Sequence, residues 1–266
     1  MARCLIVGVL NVTPDSFSDG GRFSSVAGAV DAGARLCDEG ADWIDVGGES
    51  TRPRSQPVAQ DEEIARVVPV IEGLRRRLGD RVRLSIDTYK AGTARAAIAA
   101  GATVVNDISG GKLDPALFAV AAAANAAVVV GHLRGTPATM MDAVHFDDVV
   151  AEVNAELADA VEVARAAGCT EIWADPGIGF GKRLPHNLAL LRALPTLVAA
   201  LGVPLMVGVS RKAFIGELTG RPAEARIFGT AAAVTAAVLS GAAAVRVHDV
   251  GATRDVVAVA EALIRV

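Results

Sequence analysis

The sequence predicts an α/β protein: a single (β/α)8 TIM barrel, one domain over residues 1–266, with long loops after its first and second strands. Three observations carry that reading. Short apolar runs alternate eight times with longer segments of helical spacing, and no linker or shift of composition interrupts them. Eight strand–helix units are the number that closes a parallel sheet on itself, and 266 residues is an ordinary length for such a barrel. An open doubly wound sheet is the alternative, but no G-x-G-x-x-G opens the first unit, and a Gly-Phe-Gly run stands instead on the sixth.

In chain order, the first apolar strand covers residues 4–10 and runs into Asn11. The stretch 11–23, rich in Asp, Ser, Gly and Pro, reads as a long loop. A helix over 26–39 is stopped by Gly40. The strand 42–46 leads into a second long loop, 47–60, and a helix over 61–78 with Val67, Val68, Ile71, Leu74 and Leu78 on its apolar face. Strand 82–86 ends at Asp87, and the helix 91–100 is closed by Gly101. Strand 103–105 ends at Asn106 and Asp107, and Asp114-Pro115 is expected to start the next helix, since Pro suits a first turn. Strand 126–130 leads to Gly131 and His132, and helix 146–167 ends at Gly168. Strand 171–174 ends at Asp175, before one helix over 184–201. Strand 203–209 ends at Ser210-Arg211-Lys212, before a helix over 223–239. Strand 243–247 carries Arg246 and ends at His248, and the closing helix is 253–264.

Composition narrows the function. Apolar residues make up 52% of the chain but aromatics only 4%, so the core is built from Ala, Val, Leu and Ile, which suits helices packed closely on a parallel sheet. A net charge of −4 without a basic block argues against nucleic acid as a partner. Any anionic ligand must then be held by a local cluster of cations. The three cysteines, Cys4, Cys37 and Cys169, form no CxxC pair and suggest a reducing, cytoplasmic setting. No apolar run approaches membrane-spanning length, and no signal peptide is evident.

The polar residues at strand ends carry the functional argument, because those ends converge on one mouth of a barrel. They are Asn11, Gly47 to Glu49, Asp87, Asn106 with Asp107, His132, Asp175, Ser210 with Lys212, and Arg246 with His248. Singly, each has a plainer reading. Asp87 and Asp175 could cap helices, Asn106 could be a turn residue, His132 and His248 could be satisfied core histidines, and Lys212 could be a surface cation. Arg246 resists that treatment. It stands between Val245 and Val247 inside a strand, so alternation turns it, with His248, to the opposite face, the barrel interior. A cation there needs an anionic partner.

Arg52, Lys212, Arg246 and His248 would form a cation cluster suited to a diphosphate. Asp87, Asn106 and Asp175 offer acceptors and an amide to a nitrogen-rich ring. The long loops, carrying Asp15 to Asp19 and Thr51, Arg52 and Arg54, are expected to be functional. The run 177–182 (GIGFGK) fails the phosphate-loop pattern, because Pro176 and Arg183 stand where Gly and Ser or Thr are required. No Cys/His cluster suggests a tight metal. Asn11 alone is a weak ligand, compatible with Mg²⁺ that takes phosphate oxygens and water for the rest of its shell. Ser210 has no evident neighbouring base in the sequence.

Seven segments together resemble the dihydropteroate synthase family of pterin-binding enzymes: 8–21 (GVLNVTPDSFSDGG), 45–53 (DVGGESTRP), 85–88 (SIDT), 106–111 (NDISGG), 175–182 (DPGIGFGK), 210–212 (SRK) and 246–249 (RVHD). The resemblance spans the chain. It departs at Gly131, where the family often has Met, and mildly at Ile178, where it often has Phe or Leu. It implies a (β/α)8 transferase of folate synthesis that joins 4-aminobenzoate to 6-hydroxymethyl-7,8-dihydropterin diphosphate. Carried over by motif, Asp87, Asn106, Asp175 and Lys212 hold the pterin, with Thr51 beside it. Arg52, Arg246 and His248 hold the diphosphate, and Asn11 contacts Mg²⁺. Ser210, Phe180 and the two long loops frame 4-aminobenzoate. The family also suggests a homodimer formed through outer helices.

Overall fold

A computed structural model of the chain describes residues 3–13 and 25–264. Among them, eight parallel strands follow one another: β1 (Leu5–Asn11), β2 (Trp43–Gly47), β3 (Arg83–Asp87), β4 (Val104–Asp107), β5 (Ala127–Gly131), β6 (Ile172–Asp175), β7 (Met206–Gly208) and β8 (Ala244–Val247). The hydrogen-bonded order is β6-β5-β4-β3-β2-β1-β8-β7. The seam between β6 and β7 is closed by a single bridge, Ala174 to Leu205, with Ala174 N donating to Pro204 O at 3.0 Å. Pro204 has no N–H to give to a ladder, so the predicted strand over 203–209 pairs regularly only across Met206–Gly208.

Between the strands run α1 (Val26–Asp38), α2 (Gln60–Leu78), α3 (Ala91–Ala99), α4 (Leu117–Ala123), α5 (Val149–Ala166), α6 (Leu184–Arg192), α7 (Leu194–Leu201), α8 (Ala213–Thr219), α9 (Ile227–Leu239) and α10 (Val250–Ile264). Local chemistry sets several boundaries. The Ser25 hydroxyl accepts from Gly28 N, and Asp148 Oδ1 accepts from Val150 N and Ala151 N, each satisfying donors that a helix start leaves free.

Three expectations are corrected. The helix foreseen over 184–201 is two helices bent by 62°, because Pro195 can neither donate to the preceding turn nor clear its carbonyl. Asp114-Pro115 does not begin α4, which starts at Leu117; Asp114 Oδ2 instead accepts from Ala91 N at 2.7 Å, at the start of α3. The segment after Lys212 holds α8, which was not foreseen, and the helix expected from 223 begins at Ile227 after a 3-10 turn, Ala223–Ala225.

Side-chain alternation divides the core into two layers. Outward residues of the strands, such as Ile44, Ile86, Val105, Val128, Val130 and Val245, pack with the apolar faces of the helices. Inward residues at the lower end, Val7, Trp43, Val104, Ala127, Val129, Trp173, Met206 and Ala244, fill the barrel. Trp43 and Trp173 meet edge to face, with ring centroids 5.0 Å apart. Arg83, ion-paired with Glu171 at 2.6 Å, lies over Trp43 and closes the bottom. No single helix among the described residues is long and apolar enough to cross a membrane.

Candidate active site

At the upper end the same inward positions are polar. Asn11, Gly47, Asp87 and Asn106 lie side by side in register across β1 to β4. Asp175 is level with Gly131, and Arg246 with Gly208, on the far side. Neither Asp87 nor Asp175 caps a helix: Lys90 and Arg183 stand at those positions.

Arg246 finds the anionic partner its location demands, in duplicate. Its Nε donates to Asp45 Oδ2 and its Nη2 to Asp87 Oδ2, both at 2.6 Å. Asn106 Nδ2 donates to the same Asp45 oxygen at 2.9 Å, which leaves the amide oxygen of Asn106 for a ligand. Asp45 is wholly buried, and its Oδ1 has no partner. Sequence reasoning missed Asp45, although the parity that singled out Arg246 applies to it unchanged: Ile44 and Val46 face outward around it. Burial raises the Asp87 carboxyl to about 7, with Arg246 opposing and Asp45 adding to the rise. Burial alone would lower Arg246, but Asp45 and Asp87 hold it above its ordinary value.

Two glycines leave open space among these groups. A Cβ on Gly47 would lie 3.5 Å from Asp87 Oδ2 and 3.7 Å from Asn11 Oδ1. One on Gly208 would lie 3.7 Å from Asp175 Oδ2 and 3.8 Å from Lys212 Nζ. Bare backbone on opposite strands, ringed by acceptors and an ammonium, suits a flat polar ring. Asp175 Oδ1 accepts from Gly177 N at 2.7 Å, and burial raises its pKa against the pull of Lys212. The Lys212 ammonium donates to Ile178 O and sits 4.4 Å above the Phe180 ring. Burial lowers it to about 8, with Asp175 opposing.

The turn after β7 is held tightly. Arg211 adopts a left-handed backbone, φ 59°, and forks onto Asp249 at 3.0 and 2.5 Å. Its amide donates to Thr230 Oγ1, and its carbonyl accepts from Arg226. Ser210 Oγ accepts from His248 N at 3.2 Å and lies 3.0 Å from His248 Nδ1. In the tautomer where the hydroxyl donates to Nδ1, Nε2 carries the imidazole proton and can donate to a ligand. Ser210 therefore does have a neighbouring imidazole, one that spacing 38 residues apart did not reveal. His248 is no cation, since burial and the nearby Arg246 lower it to about 4. Exposed Arg52 and half-buried Thr51 stand on the loop after β2, where Glu49 accepts from Tyr89 Oη at 2.6 Å and pairs with Lys90.

His132 is not part of the mouth. It points outward from the end of β5, with Nδ1 2.9 Å from Lys182 Nζ, and burial lowers it to about 3. Asp107 also turns away and accepts from the Ser109 hydroxyl and from the amides of Ser109 and Gly111. At Gly131 a Cβ would lie 2.7 Å from Asp107 O and Ile108 Cα, so glycine allows the turn after β4 to close over this position. The first-loop residues Asp15, Ser16, Phe17, Ser18 and Asp19 lie outside the described residues.

The site pairs carboxylates with donors around a bare floor, and comparison with known proteins gives it a family. Residues 7–248 match the model of the pterin binding enzyme family. The chain belongs to the pterin-binding enzymes. Its relatives include dihydropteroate synthases, and it is a transferase. It is 44% identical over 266 residues to dihydropteroate synthase of Synechocystis, covering 99% of this chain and 91% of that protein. A structure of the Xanthomonas albilineans dihydropteroate synthase with 4-aminobenzoic acid superposes with a TM-score of 0.91 at 46% identity, covering 99% and 94% of the two chains. Another structure of that enzyme, with 7,8-dihydropteroate, gives 0.88 at 43% identity, covering 99% and 95%.

Proposed function

We propose that the protein condenses 6-hydroxymethyl-7,8-dihydropterin diphosphate with 4-aminobenzoate, forming 7,8-dihydropteroate and releasing pyrophosphate. The observation that carries this reading is the meeting of Asp87, Asn106 and Asp175 with Lys212, Arg246 and His248 at one mouth. In this reading, Asp175, Asp87 and the Asn106 amide oxygen accept from the ring N–H groups, and Lys212 donates to a ring acceptor. The diphosphate lies towards Arg52, the outer edge of Arg246 and the Nε2–H of His248. Thr51 stands beside the pterin, and Phe180 and Ser210 border the arylamine, a ligand that the Xanthomonas enzyme also holds.

The chemistry is dissociative. The C–O bond to the diphosphate breaks with its electron pair, and the donors meet the charge that develops on the leaving oxygens. The pterin methylene cation so formed lies against the carboxylates of Asp87 and Asp175. The amine lone pair then makes the C–N bond, and the surplus N–H proton leaves to solvent. Mg²⁺ fits this site as a loosely held ion. Asn11 Oδ1 is a hard oxygen across Gly47 from Asp87, while no cluster of three His, Cys, Asp or Glu side chains able to hold a metal occurs among the described residues. Bound there, Mg²⁺ would neutralise diphosphate charge.

Small-molecule substrates without nucleic acid or membrane, and a cytoplasmic setting, belong to the same proposal. So does a homodimer through outer helices, for which Phe228, 86% exposed at the start of α9, and Leu218 on α8 are apolar contacts in waiting. The test is a pyrophosphate-release assay with each substrate alone and with both. A pteroate product formed together with pyrophosphate when both substrates are present supports the reading; no pteroate with both substrates present refutes it.

A further inference from the structure

The run Gly177-Ile-Gly-Phe-Gly-Lys182 looks in sequence like a loop built to wrap a phosphate. In the fold it wraps its own lysine. Lys182 is only 3% exposed, and its ammonium lies 3.0 Å from Gly177 O, 3.0 Å from Phe180 O, 3.4 Å from His132 O and 2.9 Å from His132 Nδ1. Four acceptors crowd three N–H donors, and two of those acceptors are carbonyls of the loop itself. Positive φ angles at Gly177 (66°), Gly179 (83°) and Gly181 (59°) give the backbone the curvature that turns the carbonyls inward. A Cβ at Gly177 would lie 2.0 Å from His132 O, so the loop and the end of β5 close on one another around the ammonium.

The outer side of the same loop belongs to the active site. Ile178 O accepts from Lys212, and the Phe180 ring lies beneath the Lys212 ammonium. Gly177 N is bound by Asp175 Oδ1, and Gly179 N by Asn187 Oδ1 at 2.7 Å. The carbonyls of the loop are thus divided between two lysines: Lys212 takes Ile178 from the front, and Lys182 takes its neighbours from behind. We propose that Lys182 is a positioning residue, whose caged ammonium moulds the β6–α6 loop into the shape that presents Phe180 to the arylamine and Ile178 O to Lys212.

The physical reason for an ammonium is geometric. Inward carbonyls with no donor are costly when buried, and one tetrahedral cation satisfies several at once where a neutral side chain satisfies one or two. Burial strips this ammonium of water and lowers it to about 7, with Lys212 adding to the fall and Asp175 and Glu156 opposing it. The acceptors are its replacement solvent. Lys212 retains other anchors when Lys182 is removed, because the turn that carries it is held by Arg226, Thr230 and Asp249. The effect should therefore fall on the arylamine side. That assignment of sides rests on the proposed function; the moulding of the loop does not.

The experiment has two readouts, one needing no substrate. In Lys182→Met, hydrogen exchange of the amides of residues 177–181 should quicken at least tenfold while β1 to β4 keep their protection. KM for 4-aminobenzoate should rise at least tenfold, with KM for the pterin diphosphate changed less than threefold. If the Met variant does not fold, Lys182→Gln, which keeps two donors, replaces it and should show both effects more weakly. Unchanged exchange across 177–181 in a folded variant overturns the inference, as does exchange that quickens uniformly through the barrel. A wild-type enzyme that makes no product from the two substrates defeats the proposed function instead and leaves the exchange result standing.

Discussion

The two ends of the barrel interior obey the same geometry and hold opposite chemistry. Along β2 and β8, Trp43 and Ala244 sit low while Asp45 and Arg246 sit one inward step above them. The lower layer is held by close apolar contact, with the half-exposed Arg83–Glu171 pair across the base. The upper layer is held by hydrogen bonds among groups that would be intolerable singly. The difference follows from what lies next to each layer. Above the strand ends come loops that deliver Lys212, Phe180 and His248, so charge can be matched there and then opened to a ligand. Below, Trp43, Trp173 and their apolar neighbours fill the interior, and close packing serves instead.

Substitutions in the two layers should therefore fail differently. The largest effect is expected from Trp173→Ala, which removes half of the edge-to-face pair and should cost ~3–5 kcal/mol of stability by chemical denaturation. Turnover per folded molecule should change little; a selective loss of turnover at normal stability would break the contrast. Asp87→Asn is the converse. It removes the charge beside Arg246 and should lower turnover ~10²–10³-fold, a magnitude typical for one electrostatic contact to a transition state. Its secondary structure and cooperative unfolding should survive, and near-normal turnover would refute the role given to Asp87.

A smaller effect sharpens the boundary between site and scaffold. His132 lies outside the mouth and is held neutral by burial, at about 3. A histidine whose folded pKa is lowered contributes stability in full above its unfolded value, near 6.5, and loses it as pH falls towards the folded value. Between pH 7 and pH 5, wild type should thus lose ~2 kcal/mol relative to His132→Gln, a comparison in which the raised pKa values of Asp87 and Asp175 cancel. A gap that does not vary with pH would mean that the imidazole is already charged in the fold. Smallest is Ser210→Ala. Loss of the hydroxyl between His248 N and Nδ1 should raise KM for the pterin diphosphate ~5-fold, about 1 kcal/mol, by freeing the imidazole to rotate.

Much of this molecule could be read without coordinates, and what could not has a common cause. The strand ends at Asn11, Asp87, Asn106 and Asp175 were legible because apolar runs stop abruptly at polar residues. The break within 184–201 was also written in the chain, at Pro195, but a helical pattern on both sides concealed it. His132 read as a rim residue because it follows a strand, yet one position decides the face, and it lies on the outer one. Lys182 read as a failed phosphate loop because glycines at alternate positions suit any buried cation or anion, and only the direction of the carbonyls tells which.

The sequence by itself determined the eight units, the polarity of their ends and the family, since each is a property of neighbours along the chain. Only the tertiary structure decided that Arg246 is held by Asp45, 201 residues away, that Ser210 meets His248, and that Lys182 fills a cage of carbonyls. Periodicity fixes the face on which a side chain emerges. Its partner depends on the register of strands around a closed barrel and on the path of the loops above them, which no local pattern encodes.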